Sequence, residues 1–451
     1  MFQRILHEAN GAKLRQAAAN VILVATAFIW YLLAFNGLLT LLNQQIATQS
    51  QDLLIIGINT GAIVLSGLLG TFVVDKIKNR RLFFYLWLSI GVVVSIVPIA
   101  FVINSVANIA IVALIFGLYF GVGMPATMGY HSGFTNIEGR AKIGGVTFLL
   151  IGISFAITNF VALNLLELCI ILAAIRIIGL IVFRLTDVKE EHEKIIKQQS
   201  IMKYRNLIEN KAFIFYFIPW LMITLVNFLT IPIQSKIYPS NGNLYETLYA
   251  GENVVIALVA VICGFIADKW GRKRLSIIGF VMLGIGYAVI GLSYSNIHDP
   301  SDLTGMFYPS IFFAISDGIA WGIFYVLFLF TLWGDLGQGK ISDKIYYLGA
   351  LPYISSYFLR ELFAPSLSQL NPLTIFTFAS VFLFLAVLPL LYASETLPEK
   401  VMKDRDLKSY IEKAKKKADK ESKREQRKEE TQDAIPDENY EEATKLAEKY
   451  Y

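Results

Sequence analysis

Four ionisable side chains, Glu252, Asp317, Arg360 and Glu361, lie within long apolar runs of the second half of this chain. Ionisable groups inside bilayer hydrocarbon are rare, and by default they mark a path for a solute or a proton. At a rise of about 1.5 Å per residue, Glu252 and Arg360 reach a similar depth from opposite ends, which predicts an ion pair. Asp317 has no evident partner at its depth, and burial favours its neutral form, so it is the predicted proton carrier. The alternative is structural: a static Glu252–Arg360 pair, and an Asp317 that hydrogen-bonds a neighbouring helix.

Neutral polar and aromatic side chains are the other candidates for lining a cavity. An amide-rich first half that faces a charged second half suits a small polar organic solute, sugar-like or carboxylate-bearing, better than a bulky apolar drug. Arg176 has no acid in the first five apolar runs to pair with. It therefore either contacts backbone carbonyls or reaches the cavity and holds an anionic group. The predicted cavity residues are Asn36, Asn59, Thr60, Asn159, Arg176, Asn227, Gln234, Trp321 and Tyr325.

The elements that must position these groups are membrane helices. Hydrophobic residues make up 55% of the chain and charged residues 17%, a composition that excludes a soluble globular protein. Because bilayer hydrocarbon is about 30 Å thick, a spanning helix needs about 20 mostly apolar residues. That length predicts an all-α membrane protein with twelve spanning helices, at residues 18–42, 53–74, 82–102, 107–130, 143–163, 165–185, 213–235, 244–267, 274–294, 304–333, 345–366 and 373–393.

The distribution of Lys and Arg predicts the orientation of these helices. Cations fill alternate short loops, such as 76–81 and 269–274, and Lys236 is the one clear cation on the other side. Because cytoplasmic loops carry the excess of Lys and Arg, both termini are predicted to be cytoplasmic, in a multi-pass protein of the cell membrane. The predicted divisions are a cytoplasmic N-terminal segment (1–17), a six-helix bundle (18–185), a cytoplasmic linker (186–212), a second six-helix bundle (213–398) and a charged cytoplasmic tail (399–451).

Two matching loops carry the most specific sequence pattern. Gly264–Arg274 has the sequence GFIADKWGRKR, and Gly70–Arg81 is an imperfect copy in the corresponding place of the first half. The pattern resembles the short cytoplasmic loop signature of the major facilitator superfamily of secondary transporters. Glu138–Lys142 and Ser394–Pro398 are also similar to stretches of that family, so the resemblance covers about residues 18–398.

The resemblance implies two parallel bundles that rock about a central site, and a latch that holds one open state. In the family, the loop Asp and its basic neighbours pair with nearby helix ends. Asn79 replaces the second Gly of the first-half copy, so Asp75 is expected to serve a weaker latch or merely to balance charge. The family often has Arg where this chain has Gly117, and 144–163 lacks the proline of the antiport-associated motif. The predicted latch comprises Asp268, Lys269, Gly271, Arg272, Lys273, Asp75, Lys76, Arg80 and Arg140.

Two glycine pairs recur at the same place in each half. Gly117 and Gly121 are four residues apart in the fourth predicted helix, and Gly318 and Gly322 are four apart in the tenth. Small residues at this spacing let membrane helices approach closely. The pairs therefore predict tight helix contacts at equivalent places in the two halves.

The tail beyond residue 398 has a composition of its own. Residues 403–428 are dense in Lys and Arg, and 429–442 are mostly acidic. One interpretation is a solvated helix followed by a disordered end. The other is a polybasic arm that contacts anionic membrane lipid or a cytoplasmic partner. Nucleic acid is not an expected partner, because the inside-positive loops account for most of the net charge of +5.

No nucleophile constellation, metal-ligand spacing or phosphate loop occurs in the sequence, which predicts no enzyme activity, no cofactor and no metal. The chain is predicted to be a monomeric secondary transporter that works by alternating access as a proton-coupled symporter of a small-molecule substrate. Three alternatives stay open: proton-coupled efflux of amphipathic compounds, an uncoupled facilitator, and a non-transporting solute sensor or scaffold.

Overall fold

The computed structural model describes residues 2–44, 48–77, 79–101, 105–159, 164–186, 203–237, 244–297, 304–337 and 342–398, with parts of 403–422 and 438–450. Throughout these residues the regular elements are helices, which confirms the all-α prediction. The chain divides into two compact units, Met1–Leu397 and Pro398–Tyr451.

Twelve long helices, α1 to α12, form the first unit within the described residues. Outside this set lie the short helices Tyr204–Ile208 and Glu438–Tyr450, the 3-10 helix Thr304–Met306 and a helical stretch at 414–422. The first half comprises α1 to α6, at Phe2–Gln44, Gln49–Lys76, Arg80–Ala100, Val106–Phe134, Arg140–Asn159 and Leu165–Thr186. The second half comprises α7 to α12, at Lys211–Ile237, Leu244–Trp270, Arg272–Ser295, Phe307–Leu336, Asp343–Leu367 and Pro372–Tyr392, and α10 is π-helical over Tyr325–Thr331.

Ten of the described helices are long and apolar enough to cross a membrane, and they include α1 from Arg15 onward. The other two long helices are α5 and α11. The described side chains of α5 end at Ser154, which is short of a full span. α11 carries four charged residues together with several tyrosines and serines, and these lower its hydropathy. Each described long helix thus overlaps one predicted segment. The polar and charged side chains of α11 make it less apolar than the other long helices.

The glycine pairs make the close helix contacts that their spacing predicts. In α4, a Cβ on Gly117 would lie 2.6 Å from the carbonyl oxygen of Asn59 in α2. In α10, a Cβ on Gly318 would lie 3.2 Å from the carbonyl oxygen of Glu252 in α8. Because no larger residue fits at these distances, the glycines fix the spacing of α2 with α4 and of α8 with α10.

Several helix pairs join the two halves directly, and two of them make the most extensive contacts. α5 packs against α8, and α2 packs against α11. At the first contact, a Cβ on Gly145 would lie 2.7 Å from the carbonyl oxygen of Ala260, and one on Gly264 would lie 2.7 Å from that of Ala141. The first Gly of the loop signature is therefore needed for contact between the halves as well as for the loop.

Candidate functional site

A cavity of 430 Å³ lies between the two halves, about 24 Å along α8 from the charged helix ends. Its wall is formed by residues of α1, α2, α7, α8, α10 and α11. Most predicted cavity residues lie there, together with three of the four buried ionisable groups. These residues are Asn36, Thr60, Asn227, Gln234, Trp321, Tyr325, Glu252, Asp317 and Arg360.

The two acids of the cavity lie next to each other. The side chains of Glu252 and Asp317 are hydrogen-bonded, and Gly318 permits this by bringing α10 against the backbone at Glu252. The predicted pair of Glu252 with Arg360 is therefore wrong, and Asp317 does have a partner. Glu252 and Arg360 both line the cavity, but Glu252 interacts with Asp317 of α10 instead of Arg360 of α11. Two carboxyl groups that share a hydrogen bond hold at least one proton between them.

Arg360 pairs with its own neighbour in the chain. Its guanidinium donates two hydrogen bonds to Glu361 Oε1, from Nε at 2.9 Å and from Nη2 at 2.6 Å. It also lies 3.9 Å from the ring centre of Tyr357, one helical turn earlier. The one cation of the cavity wall, among the described residues, is thus neutralised locally by Glu361.

Aromatic rings form the wall beside Asp317. The ring centres of Trp321 and Tyr325 are 4.9 Å apart, and those of Tyr325 and Tyr353 are 5.9 Å apart. The hydroxyl oxygens of Tyr325 and Tyr353 are 3.1 Å apart, within hydrogen-bonding distance. On the side of the first half, Tyr31 stacks on Phe120 at 4.1 Å. These rings give the cavity rigid faces that can contact an apolar group or a cation.

The amides differ in how far they are engaged by the protein. Asn227 Oδ1 accepts a hydrogen bond from the Tyr287 hydroxyl, and Gln234 donates a long one to the same hydroxyl. Asn59 lies away from the cavity and donates to the carbonyl oxygen of Ala113 at 2.8 Å, where it ties α2 to α4. The side chain of Asn159 lies outside the described residues.

Arg176 lies neither in the cavity nor against backbone carbonyls. Its side chain is fully buried in the first half, and its guanidinium carbon is 4.9 Å, 4.7 Å and 5.0 Å from the rings of Trp30, Trp87 and Tyr119. Among the described residues its three nitrogens have no hydrogen-bond partner. Both sequence interpretations of Arg176 are thus wrong. Aromatic faces are electron-rich, and here they take the place of a counter-ion for the guanidinium. Hydropathy and charge counts along the sequence do not reveal such a partner.

Ion pairs between the halves close the end of the molecule that carries the charged loops. Arg80 at the start of α3 binds both carboxylate oxygens of Asp343 at the start of α11, at 3.1 Å and 2.5 Å. Lys344 pairs with Asp75 at the end of α2, at 2.5 Å. The first-half copy of the loop signature therefore bridges to α11 despite its imperfect sequence.

A second group of ion pairs centres on Asp335 at the end of α10. Asp335 Oδ1 lies 2.5 Å from Arg140 of α5, and Oδ2 lies 3.2 Å from Arg272 of α9. Oδ2 also accepts a hydrogen bond from the Thr396 hydroxyl at 3.0 Å. Arg272 reaches Asp268 at 2.9 Å, and Asp268 accepts from the backbone N–H of Lys142. These ion pairs and the Asp268–Lys142 hydrogen bond join α5 of the first half to α8, α9 and α10 of the second half.

The turn at Gly271 completes this end of the molecule. Gly271 has a φ of +99°, a left-handed conformation that favours glycine, and its Cα faces the carboxylate of Glu395. Glu395 accepts hydrogen bonds from the backbone N–H groups of Arg272 at 2.9 Å and Lys273 at 3.1 Å, which caps the start of α9. Lys273 donates to the carbonyl oxygen of Leu391.

The structure thus revises the predicted latch. Lys76 and Lys269 are exposed, which fits anchoring by positive charge rather than pairing. The sequence interpretation missed the acids Asp335, Asp343 and Glu395. Each lies at the end of an apolar run, where a carboxylate can meet the loop cations, and that position was a usable signal. We keep the name latch for the revised set, which is Asp75, Arg80, Arg140, Asp268, Arg272, Asp335, Asp343 and Lys344.

Metal chemistry has no evident site in the part of the chain that the structure describes, where no three His, Cys, Asp or Glu side chains are grouped to hold an ion. Cys169 and Cys263 are buried free thiols on α6 and α8.

Comparison with protein-family models gave no match, and neither did comparison with curated proteins. Solved structures match over most of the chain. The crystal structure of the human organic anion transporter MFSD10 (TETRAN) matches with a TM-score of 0.56 and 11% identity, over 85% of this chain and 99% of that one. The proton:xylose symporter XylE, bound to 6-bromo-6-deoxy-D-glucose, matches with a TM-score of 0.61 and 13% identity, over 86% of this chain and 96% of that one.

This chain has the major facilitator fold. The resemblance that the loop signature suggested is confirmed at the level of fold, and both matched proteins are transporters rather than enzymes. Within the major facilitator fold, the observed cavity lies between the halves, and the latch lies at one end of it.

Proposed function

We propose that this protein is a proton-coupled secondary transporter that moves a small polar organic solute across the cell membrane by alternating access. The observation that carries the proposal is the 430 Å³ polar cavity between two halves, closed at one end by ion pairs that join those halves. A site that is reached from one side while the other is shut is what alternating access requires. The sequence expectation of a sugar-like or carboxylate-bearing solute stays a prediction within that class.

The proposed topology has twelve spanning helices in two six-helix bundles, with both termini in the cytoplasm, in a monomer. The excess of Lys and Arg on the latch side supports a cytoplasmic location for the latch. On that basis, the structure represents a state that is closed to the cytoplasm. Opening it requires that Arg80, Arg140 and Lys344 separate from their acids across the interface between the halves.

The proposed coupling centre is the pair of Glu252 and Asp317. An ionised carboxylate is costly to carry through a closed, low-dielectric state, and a proton removes that cost. The shared hydrogen bond between the two side chains gives a proton a defined position at the cavity wall. Protonation would thus permit the halves to switch, and deprotonation would hold them.

Symport is tested with the purified full-length protein in liposomes, with a pH gradient imposed and a panel of labelled polar solutes. A solute of the protein should accumulate with the gradient, and a protonophore should abolish accumulation. Asp317→Asn should reduce gradient-driven accumulation at least tenfold, while Glu209→Gln, an acid-to-amide change at an exposed position that does not line the cavity, should retain it. If Asp317→Asn accumulates solute as the parent does, the assignment of coupling to Asp317 is wrong.

The same assay separates the alternatives. Accumulation only when the proton gradient opposes solute movement would indicate efflux of amphipathic compounds. Equilibration that ignores the protonophore would indicate an uncoupled facilitator. Solute binding without any flux, combined with loss of cellular function on deletion of 399–451, would indicate a sensor or scaffold.

A further inference from the structure

One oxygen of Asp317 is left without a partner. The residue is 4% exposed and contributes to the cavity wall, and its side chain is engaged by Glu252 and Trp321. Among the described residues, Oδ1 has no hydrogen-bond partner. A buried acceptor that makes no hydrogen bond costs free energy. A ligand that donates a hydrogen bond at this position removes that cost and therefore binds more tightly. The free oxygen therefore points to a ligand that donates a hydrogen bond.

The charge of the cavity is the second observation. Glu252 and Asp317 are the acids of the cavity wall, so ionisation of either one gives the site a negative charge. Arg360 does not offset that charge, because Glu361 already binds its guanidinium and the Tyr357 ring covers it. An anionic solute would thus meet uncompensated negative charge, whereas a monovalent cation would neutralise it.

The aromatic rings are the third observation. Trp321 is one helical turn beyond Asp317, and its ring lies 4.9 Å from Tyr325 and 6.2 Å from Tyr353, centre to centre. Rings placed beside a carboxylate are the arrangement that binds organic cations, since the ring faces add attraction without adding a fixed charge. A sugar or a neutral amide would use the same rings but would leave the negative charge unbalanced.

From these three observations we infer that the cavity takes a protonated amine, an organic monocation with at least one N–H group. The inference rests on the proposed transport function and narrows its substrate class. The ammonium donates to Asp317 Oδ1 while the proton between Glu252 and Asp317 stays in place. One proton and one amine together neutralise the two acids, so the loaded site carries no net charge when the halves switch.

Other titratable groups face this site from each surrounding helix. α1 contributes Tyr31, α8 contributes Tyr249, and α10 contributes Tyr325. α11 contributes Tyr353, Tyr357 and the paired Arg360, while α2 and α7 contribute neutral groups such as Thr60, Asn227 and Gln234. Phenols stay neutral over the range in which carboxyl groups titrate, so the acid pair governs the charge of the site near neutral pH.

Three probes of nearly equal size test the inference: phenethylamine, 2-phenylethanol and phenylacetate, which are a cation, a neutral molecule and an anion at pH 7. Binding to the full-length protein is measured by saturation-transfer NMR and by calorimetry. Because a charge-assisted hydrogen bond and ring contacts favour the cation, we expect the amine to bind about tenfold more tightly than the alcohol. The carboxylate should bind most weakly. An amine that binds no more tightly than the alcohol overturns the inference.

Variants locate the effect. Asp317→Asn should reduce the preference for amine over alcohol to within about twofold, and Trp321→Leu should reduce amine affinity several-fold. Glu209→Gln, at an exposed acid that does not line the cavity, is the matched control and should keep the preference. Binding of 2-phenylethanol by Asp317→Asn shows that the cavity is intact. A preference for amine that survives Asp317→Asn places the cation elsewhere and overturns the assignment.

Proton counting tests the shared proton. Calorimetry in two buffers of different ionisation enthalpy should show no proton release when phenethylamine binds at pH 7. Release of one proton per amine would mean that the amine displaces the proton, which contradicts the proposed loading and indicates exchange instead of symport. The liposome assay is independent of both results. Proton-driven flux of a neutral solute without amine binding would overturn this inference alone, and amine binding without proton-driven flux would overturn the transport mechanism alone.

Discussion

Two aspartates on α10 occupy opposite kinds of environment. Asp335 is buried in the latch, where two arginines and the Thr396 hydroxyl bind its oxygens. Asp317 is buried at the cavity, where it lies beside Glu252 and its Oδ1 has no hydrogen-bond partner among the described residues. Both acids are almost inaccessible to solvent, with 4% of each residue exposed. Burial alone therefore does not distinguish them, whereas the satisfaction of their hydrogen bonds does.

The comparison shows what separates a structural charge from a chemical one in this molecule. A fully bound carboxylate stabilises one arrangement of the halves and has no capacity left for a ligand. An incompletely bound one costs stability and keeps the capacity to take a proton or a cation. The same substitution, Asp to Asn, should thus affect stability at one position and transport at the other.

The largest stability effect is expected for Asp335→Asn. This change leaves Arg140 and Arg272 buried without their shared counter-charge, which costs about 3–5 kcal/mol where one partner of a buried ion pair is removed. The buried native thiols Cys169 and Cys263 permit a thermal unfolding assay with a thiol-reactive fluorophore and no engineered label. An unchanged unfolding temperature would show that the latch does not hold the halves together.

Asp317→Asn is expected to have the opposite profile. It removes a buried acid with an unpaired oxygen, so the unfolding temperature should stay the same or rise. Gradient-driven transport should fall at least tenfold in the liposome assay described above. A marked loss of stability would place Asp317 with Asp335 as a structural acid and would remove the contrast between them.

Asp75→Asn should have a smaller effect than Asp335→Asn. Its pair with Lys344 is partly exposed, with 16% of the Asp75 side chain and 8% of the lysine side chain accessible to solvent. Ion pairs that water reaches contribute about 0–1 kcal/mol, because solvent replaces the lost contact. The unfolding temperature should therefore fall by less than for Asp335→Asn. An equal or larger fall would mean that the first-half copy of the loop is the main latch.

Arg176→Met is expected to have the smallest effect. Replacing a buried charge by an apolar side chain of similar length is often neutral, since the desolvation cost disappears along with the attraction. The change in unfolding free energy should stay within about 1 kcal/mol, and transport should stay within twofold. Arg176→Ala is the contrasting variant, because it leaves a gap among Trp30, Trp87 and Tyr119. A transport defect in a stable Arg176→Met protein would assign Arg176 a role in the cycle.

Much of the helical architecture was accessible from the sequence, because the length of an apolar run depends on composition along the chain. The described helices match the predicted segments, and the glycine pairs make the predicted contacts. The neutral residues Asn36, Thr60, Asn227 and Gln234 line the observed cavity, and their role in binding a substrate stays a prediction. A polar side chain in an apolar helix usually faces a cavity or another polar group, because its exposure to lipid is costly.

Partner choice was not accessible in the same way. Depth in the membrane follows from counting residues, but partner choice depends on the rotation and tilt of each helix, which tertiary packing sets. Glu252 and Arg360 line the same cavity and yet have different partners, Asp317 and Glu361. Arg176 was unexplained because its partners are aromatic rings, which carry no formal charge to count. Asp335 and Asp343 lie outside both copies of the loop signature, so that pattern does not indicate them as partners of the loop cations.

The π-helical turn at Tyr325–Thr331 separates the two aspartates of α10. From 317 to 335 is 18 residues, which in a regular helix of about 3.6 residues per turn makes five turns and would put both side chains on one face. A π-helical turn holds an extra residue, and each residue corresponds to about 100° of rotation in a regular helix. The side chain of Thr331 has the same i to i−5 spacing as the wider turn, since its hydroxyl donates to the carbonyl oxygen of Val326, five residues earlier.

In terms of chain length, this turn holds one residue more than a regular α-helix would need. Removing a residue between 325 and 331 would restore regular helical geometry. It would also rotate the part of α10 before the turn relative to the part after it. One deletion would then misalign either Asp317 with the cavity or Asp335 with its arginines, without altering either residue. Tolerance to insertions and deletions in this segment should accordingly be lower than in any loop of comparable length.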